Sequence, residues 1–147
     1  MNLQAKLKCM TDLINLTSPI FPCFDLTFWD SLEIDNCLEI DAVILGDEHF
    51  YSTSKKFNKY LLNHIIVDSK GKKFKAVSLI SYAGWRQFIP IIAKAKVKYD
   101  SLESNLSVDE LRKVIFNKLD ESKNQEELEE WRTKIIKAKD YQELFGF

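Results

Sequence analysis

Leu3, Leu7, Met10, Leu13, Ile14 and Leu16 fall near the three-and-four spacing of one helix face, so residues 3–16 are expected to form an amphipathic helix. Pro19 and Pro22 end it, because proline cannot continue a helix and drives the preceding residue toward extended geometry. Leu38 to Leu45 starts with alternation and becomes wholly apolar, the pattern of a strand that passes from half-buried to buried. Gly46-Asp47 supplies turn chemistry, with His49 to Ser52 as the returning strand. Ser54 to Leu62 predicts a short helix that puts Phe57, Tyr60 and Leu61 on one side.

Ile65 to Val67 and Lys73 to Ser81 read as two strands joined by the turn Asp68-Ser69-Lys70-Gly71, with Gly71 suited to a left-handed residue. Gly84 to Ile92 stays open between helix and strand, since Pro90 interrupts either. Ala95 to Leu102 alternates and predicts a strand with one charged face. Ser107-x-x-Glu110 is a capping box ahead of the stripe Leu111, Val114, Ile115 and Leu119. Asn124-x-x-Glu127 repeats the device before Leu128, Trp131, Ile135 and Ile136, and Trp131 is expected to be largely buried. Asp140-x-x-Glu143 opens a last short turn that ends in Phe145 and Phe147. The expected class is α+β: an N-terminal helix, an antiparallel β-sheet, and two or three C-terminal helices packed on it.

The length of 147 residues suits a single globular domain spanning 1–147, able to bury its own core without staples. A hydrophobic content of 46% excludes a disordered chain, and only four glycines leave little for a phosphate-cradling loop. Cys9, Cys23 and Cys37 form no Cys-x-x-Cys pair and suit reduced, buried thiols. With no uninterrupted apolar run of membrane-spanning length and no signal-peptide pattern, a cytoplasmic protein is expected.

Net charge is only −1, yet charge is segregated along the chain. Residues 25–50 hold eight carboxylates and no Lys or Arg, whereas residues 53–98 hold eleven bases against Asp68 alone. The two segments either neutralise each other in the sheet or present surfaces to charged partners. In the acidic segment, Asp30, Glu33, Asp35, Asp47 and Glu48 with Trp29 as anchor are the candidate contacts for a basic partner protein. In the basic segment, Lys70, Lys72, Lys73, Lys94, Lys96 and Lys98, with Tyr99, Trp85 and Phe88 nearby, are the alternative candidates for nucleic acid or another polyanion. An RRM-type basic–aromatic signature is absent, which argues against nucleic acid. His49 and His64 stand in no metal-ligand spacing, and Asp47-Glu48-His49 reads as a solvated turn. No metal, cofactor, membrane partner or catalytic group is expected, and so no enzyme.

The run Ile65 to Phe74, then Gly84, Phe88-Ile89-Pro90, Val97, Ser107-Val108-Asp109-Glu110-Leu111 and Trp131, resembles small bacterial immunity-type proteins of toxin–immunity systems such as contact-dependent inhibition. The resemblance implies a protein-binding inhibitor that occludes the active site of a cognate toxin, a nuclease with a basic cleft being the expected form. Polyanion binding through residues 53–98 is the alternative.

Overall fold

The strongest local signals take the shapes expected of them. The computed structural model describes residues 2–7, 18–32, 42–51, 54–80, 94–122 and 125–146. Its elements in chain order are α1 (residues 3–7), β1 (Cys23–Asp25), α2 (Leu26–Ser31), β2 (Ile44–Leu45), β3 (His49–Tyr51) and α3 (Ser54–Tyr60). There follow β4 (Ile65–Val67), β5 (Lys72–Ile80), β6 (Lys94–Asn105), α4 (Val108–Glu121), α5 (Gln125–Lys137) and α6 (Tyr141–Phe145). The fold is α+β, with an N-terminal helix, one curled six-stranded antiparallel sheet in the order β2-β1-β4-β5-β6-β3, and C-terminal helices. Only 3–7 of the expected first helix is described, and Gly84 to Ile92 lies outside the described residues.

Local chemistry explains the boundaries. Gly71 has φ +80, and a Cβ there would run into the Tyr141 hydroxyl and the Leu106 carbonyl, so two separate constraints demand glycine. Asp68 organises that same turn: its carboxylate accepts from the amides of Lys70 and Lys72 at 2.9 and 3.0 Å and from Ile20 N–H at 3.1 Å. Ser107 and Glu110 form both halves of the capping box on α4, and the hydrogen bond that the Ser107 backbone N–H donates to the Glu110 carboxylate lowers its pKa. Asp140 caps α6, and Glu143 accepts from Lys139 N–H at 2.7 Å. Asn124, the expected cap of α5, falls outside the described residues.

Long-range pairing differs from the local reading. Of Leu38 to Leu45 only Ile44 and Leu45 are strand; 42 and 43 form a turn, and 38–41 lie outside the described residues. β3 does not return along β2 but pairs with β6 at the opposite edge. The reason is burial: Phe50 meets Phe57 of α3 at 5.7 Å between ring centroids, in a core completed by Leu61, Ala76 and Val97.

The larger core lies on the other face, over β1 and β4. Phe24 and Val67 pack there with Trp29, with Leu111, Ile115 and Leu119 of α4, with Leu128 and Ile135 of α5, and with Leu144 and Phe145 of α6. Side chains also bridge chain ends in this layer. Lys118 Nζ donates to the carbonyls of Asp30 and Leu32 at the end of α2, and Arg112 donates to those of Ile135 and Ala138 at the end of α5.

Three apolar residues depart from expectation. Tyr60 is 53% exposed and Ile136 is 64% exposed, each just off the buried arc of its helix. Trp131 is half-buried on the rim of the main core, with Lys134 Nζ 5.3 Å from its ring centroid. Trp29, by contrast, is fully enclosed. Trp29→Ala should therefore destabilise the protein by about 3–5 kcal/mol, and Trp131→Ala by less, about 1–3 kcal/mol. Thermal melts of the two variants check that order; equal losses would place Trp131 in the core.

Candidate interaction surface on the β5–β6 ladder

Side chains alternate along a strand, so register decides which charges share a face. In β6, Val97 is buried and Tyr99 half-buried on the α3 side, which turns Lys96, Lys98 and Asp100 to the other. Opposite them on β5 stand Ile80, Ser78 and Lys75 in turn, with a bulge between Ala76 and Ser78 keeping the pattern in step. Lys73 shares the face of Lys75. The result is a row of four lysines along one face, which ends at Lys96 opposite Ile80, itself 49% exposed. No side chain of β5 or β6 belongs to the main core cluster on that face.

Carboxylates are set into the same surface. Asp100 pairs in register with Lys75, and Glu48 at the start of β3 meets Lys96 at 3.5 Å, both half exposed. The acidic and basic segments therefore touch here, but only in part. A groove of about 550 Å³ adjoins the surface, lined by Lys96 to Ser101 on one side and by Ser18, Pro19 and Phe21 on the other.

The candidate residues separate as follows. Lys73, Lys96 and Lys98 share this face, with Lys96 and Lys98 beside Ile80 and Lys73 toward the β4–β5 turn. Lys70 sits in the β4–β5 turn, Lys72 pairs with Asn105 at the far end, and Lys94 pairs with Tyr51 beside β3. Tyr99 does not flank the lysines as a stacking platform: it lies on the opposite face, 6.1 Å from the Phe21 ring centroid, and burial raises its phenol pKa. Trp85 and Phe88 lie outside the described residues, as do Glu33 and Asp35. Trp29 is a core residue rather than a displayed anchor, with its indole N–H 3.4 Å from Val114 O. Asp30 is exposed on α2, and Asp47 is exposed in the turn, where it accepts from His49 N–H at 2.8 Å.

Sequence reasoning missed one polar pair. His64 Nδ1 and Asp25 Oδ2 are 2.8 Å apart across 39 residues of chain, and both side chains are largely buried. Asp25 also caps α2 by accepting from Phe28 N–H at 3.0 Å. Burial raises the Asp25 pKa against the opposing pull of His64 and these amides. An Asp three residues ahead of an apolar run was the available signal for the cap; nothing local announces His64. Cys23, next to this pair in sequence, is a buried thiol whose pKa burial also raises. Among the described residues no buried side-chain nitrogen or oxygen lacks a partner and no cluster suits a metal ion. The pair ties the cap of α2 to the residue ahead of β4.

Asp25→Ala removes a cap worth about 1 kcal/mol and strips a buried histidine of its partner at a further loss of about 1–3 kcal/mol. Asp25→Asn keeps an acceptor for Phe28 N–H, so its melting temperature should lie between wild type and Asp25→Ala; equal melts for all three would contradict this role. No helix among the described residues is long and apolar enough to cross a membrane. Comparison with protein-family models, with curated proteins and with solved structures finds no match to this chain.

Proposed function

We propose that this chain is a protein-binding inhibitor that meets an acidic surface of its partner through the lysine face of β5–β6. One observation carries the reading: Lys73, Lys75, Lys98 and Lys96 follow one face of the ladder toward exposed Ile80, interleaved with Asp100 and Glu48. Phosphate backbones are uniformly negative, so carboxylates inside the patch oppose them. A protein surface of mixed sign accommodates both. The resemblance of the C-terminal part to immunity-type proteins supports inhibition of a toxin as the biological task.

A second reading keeps the acidic segment as the docking surface for a basic toxin. It is favoured by exposed Asp30, where Lys118 pins the end of α2 against α4 at 2.8 and 3.0 Å and so fixes where the acidic stretch departs. The two readings predict opposite partners.

Titration with polyglutamate, polylysine and a single-stranded oligonucleotide at about 50 mM salt separates them, because exposed charge contacts are strong in that regime. Polyglutamate should bind, and Lys75→Glu with Lys98→Glu should weaken it at least tenfold while leaving the melt near wild type. Binding to polylysine alone would transfer the proposal to the acidic segment. A tighter, steeply salt-dependent oligonucleotide complex would make the partner a nucleic acid.

A further inference from the structure

β6 is a long strand with a short neighbour. It runs Lys94–Asn105, whereas β3 pairs only with Lys94, Ala95 and Lys96. One further bond, Val97 N–H to Glu48 O at 2.9 Å, ends that pairing. In an antiparallel ladder alternate residues turn both N–H and C=O to the same side. Val97 faces outward toward β3, so Tyr99 and Ser101 face outward too, while Lys98 and Asp100 bond inward to β5. Among the described residues no strand pairs with β6 on that side beyond Val97. The groove between β6 and Ser18–Phe21 follows this same stretch. Glu103, at φ 52 in a break of register, ends the regular edge.

We propose that the outer edge of β6 from Lys98 to Ser101 takes up an extended segment of the partner protein, which joins the sheet as a further strand. This rests on the reading of the lysine face as a surface for an acidic protein. Strand addition supplies main-chain bonds to Tyr99 and Ser101, and the two faces of β6 supply specificity. On one face the incoming side chains meet Lys98 and then Asp100; on the other they meet Tyr99 and Phe21. The segment recognised therefore alternates charged and apolar residues, with an acid opposite Lys98 and a base opposite Asp100. β3 already shows the acidic half of this pattern, where Glu48 reaches Lys96 from the neighbouring strand.

The probe is an eight-residue peptide with the repeat Glu-Val-Lys-Val, compared with the same peptide N-methylated at every second residue on its bonding edge. Hydrogen exchange of the full chain reads the Tyr99 and Ser101 amides. In dilute protein alone they should exchange rapidly, and the unmethylated peptide should slow them at least tenfold. Ser101→Pro, which removes one outward N–H and is tolerated at an open edge, should abolish the effect with the fold intact by circular dichroism. Equal binding of both peptides would overturn strand addition and leave the lysine-face reading standing. Failure of both peptides, with polyglutamate still bound, does the same; failure of polyglutamate as well removes both proposals. Slow amides in dilute protein would show the edge already covered, and slowing that rises with protein concentration would make the occupant a second copy of the chain.

Discussion

The β5–β6 ladder is the interaction on which the rest of the molecule hangs. It is the longest pairing in the sheet, and each end is fastened to a different body of side chains. At one end Ala76, Leu79, Val97 and Tyr99 receive α3 and Phe50. At the other, Leu106 N–H donates to Gly71 O at 2.7 Å, and Tyr141 donates to Leu106 O. That seam leads directly into the capped start of α4. Two small cores on opposite faces are thereby held by one stretch of backbone hydrogen bonding, and neither has to be large.

This arrangement also produces the candidate surface. Helices cover β1 and β4 on one face while α3 covers β5 and β6 on the other, so the lysines of β5 and β6 continue the helix-covered face beyond the main core cluster. Lysines suit that position because their stems tolerate apolar neighbours and their charges discourage edge-to-edge association. Beyond Val97 the outer main-chain groups of β6 have no strand partner among the described residues, and an added strand would satisfy them. Charge and an edge with no strand partner among the described residues coincide on β6, with Ile80 of β5 beside them, because these follow from its length and register.

Much of this was legible locally, and the limits have a physical cause. The Asp68–Gly71 turn, the box Ser107–Glu110 and the alternation of β6 depend on residues within a few positions, so sequence spacing reveals them. The pairing of β3 with β6, the insertion of β1 between β2 and β4, and the contact of Asp25 with His64 depend on which distant surfaces bury each other. Trp29 illustrates the cost of reading charge without packing: carboxylates flank it in sequence, but Phe24 packs against it edge-on at 5.5 Å inside the core. Likewise spacing groups the lysines together, whereas register divides them, with Lys96 and Lys98 beside Ile80 and Lys70, Lys72 and Lys73 toward the far turn.

Residue-resolved hydrogen exchange on the dilute full chain tests the central claim most directly, since it reads both edges of β6 in one experiment. Lys98 and Asp100, bonded inward to β5, should be protected by orders of magnitude over Tyr99 and Ser101, which point outward beyond β3. Alternating protection along these four residues is the predicted result. Uniform protection would mean that the edge is not open, and uniform exchange would mean that the β5–β6 ladder does not extend to this end of the sheet.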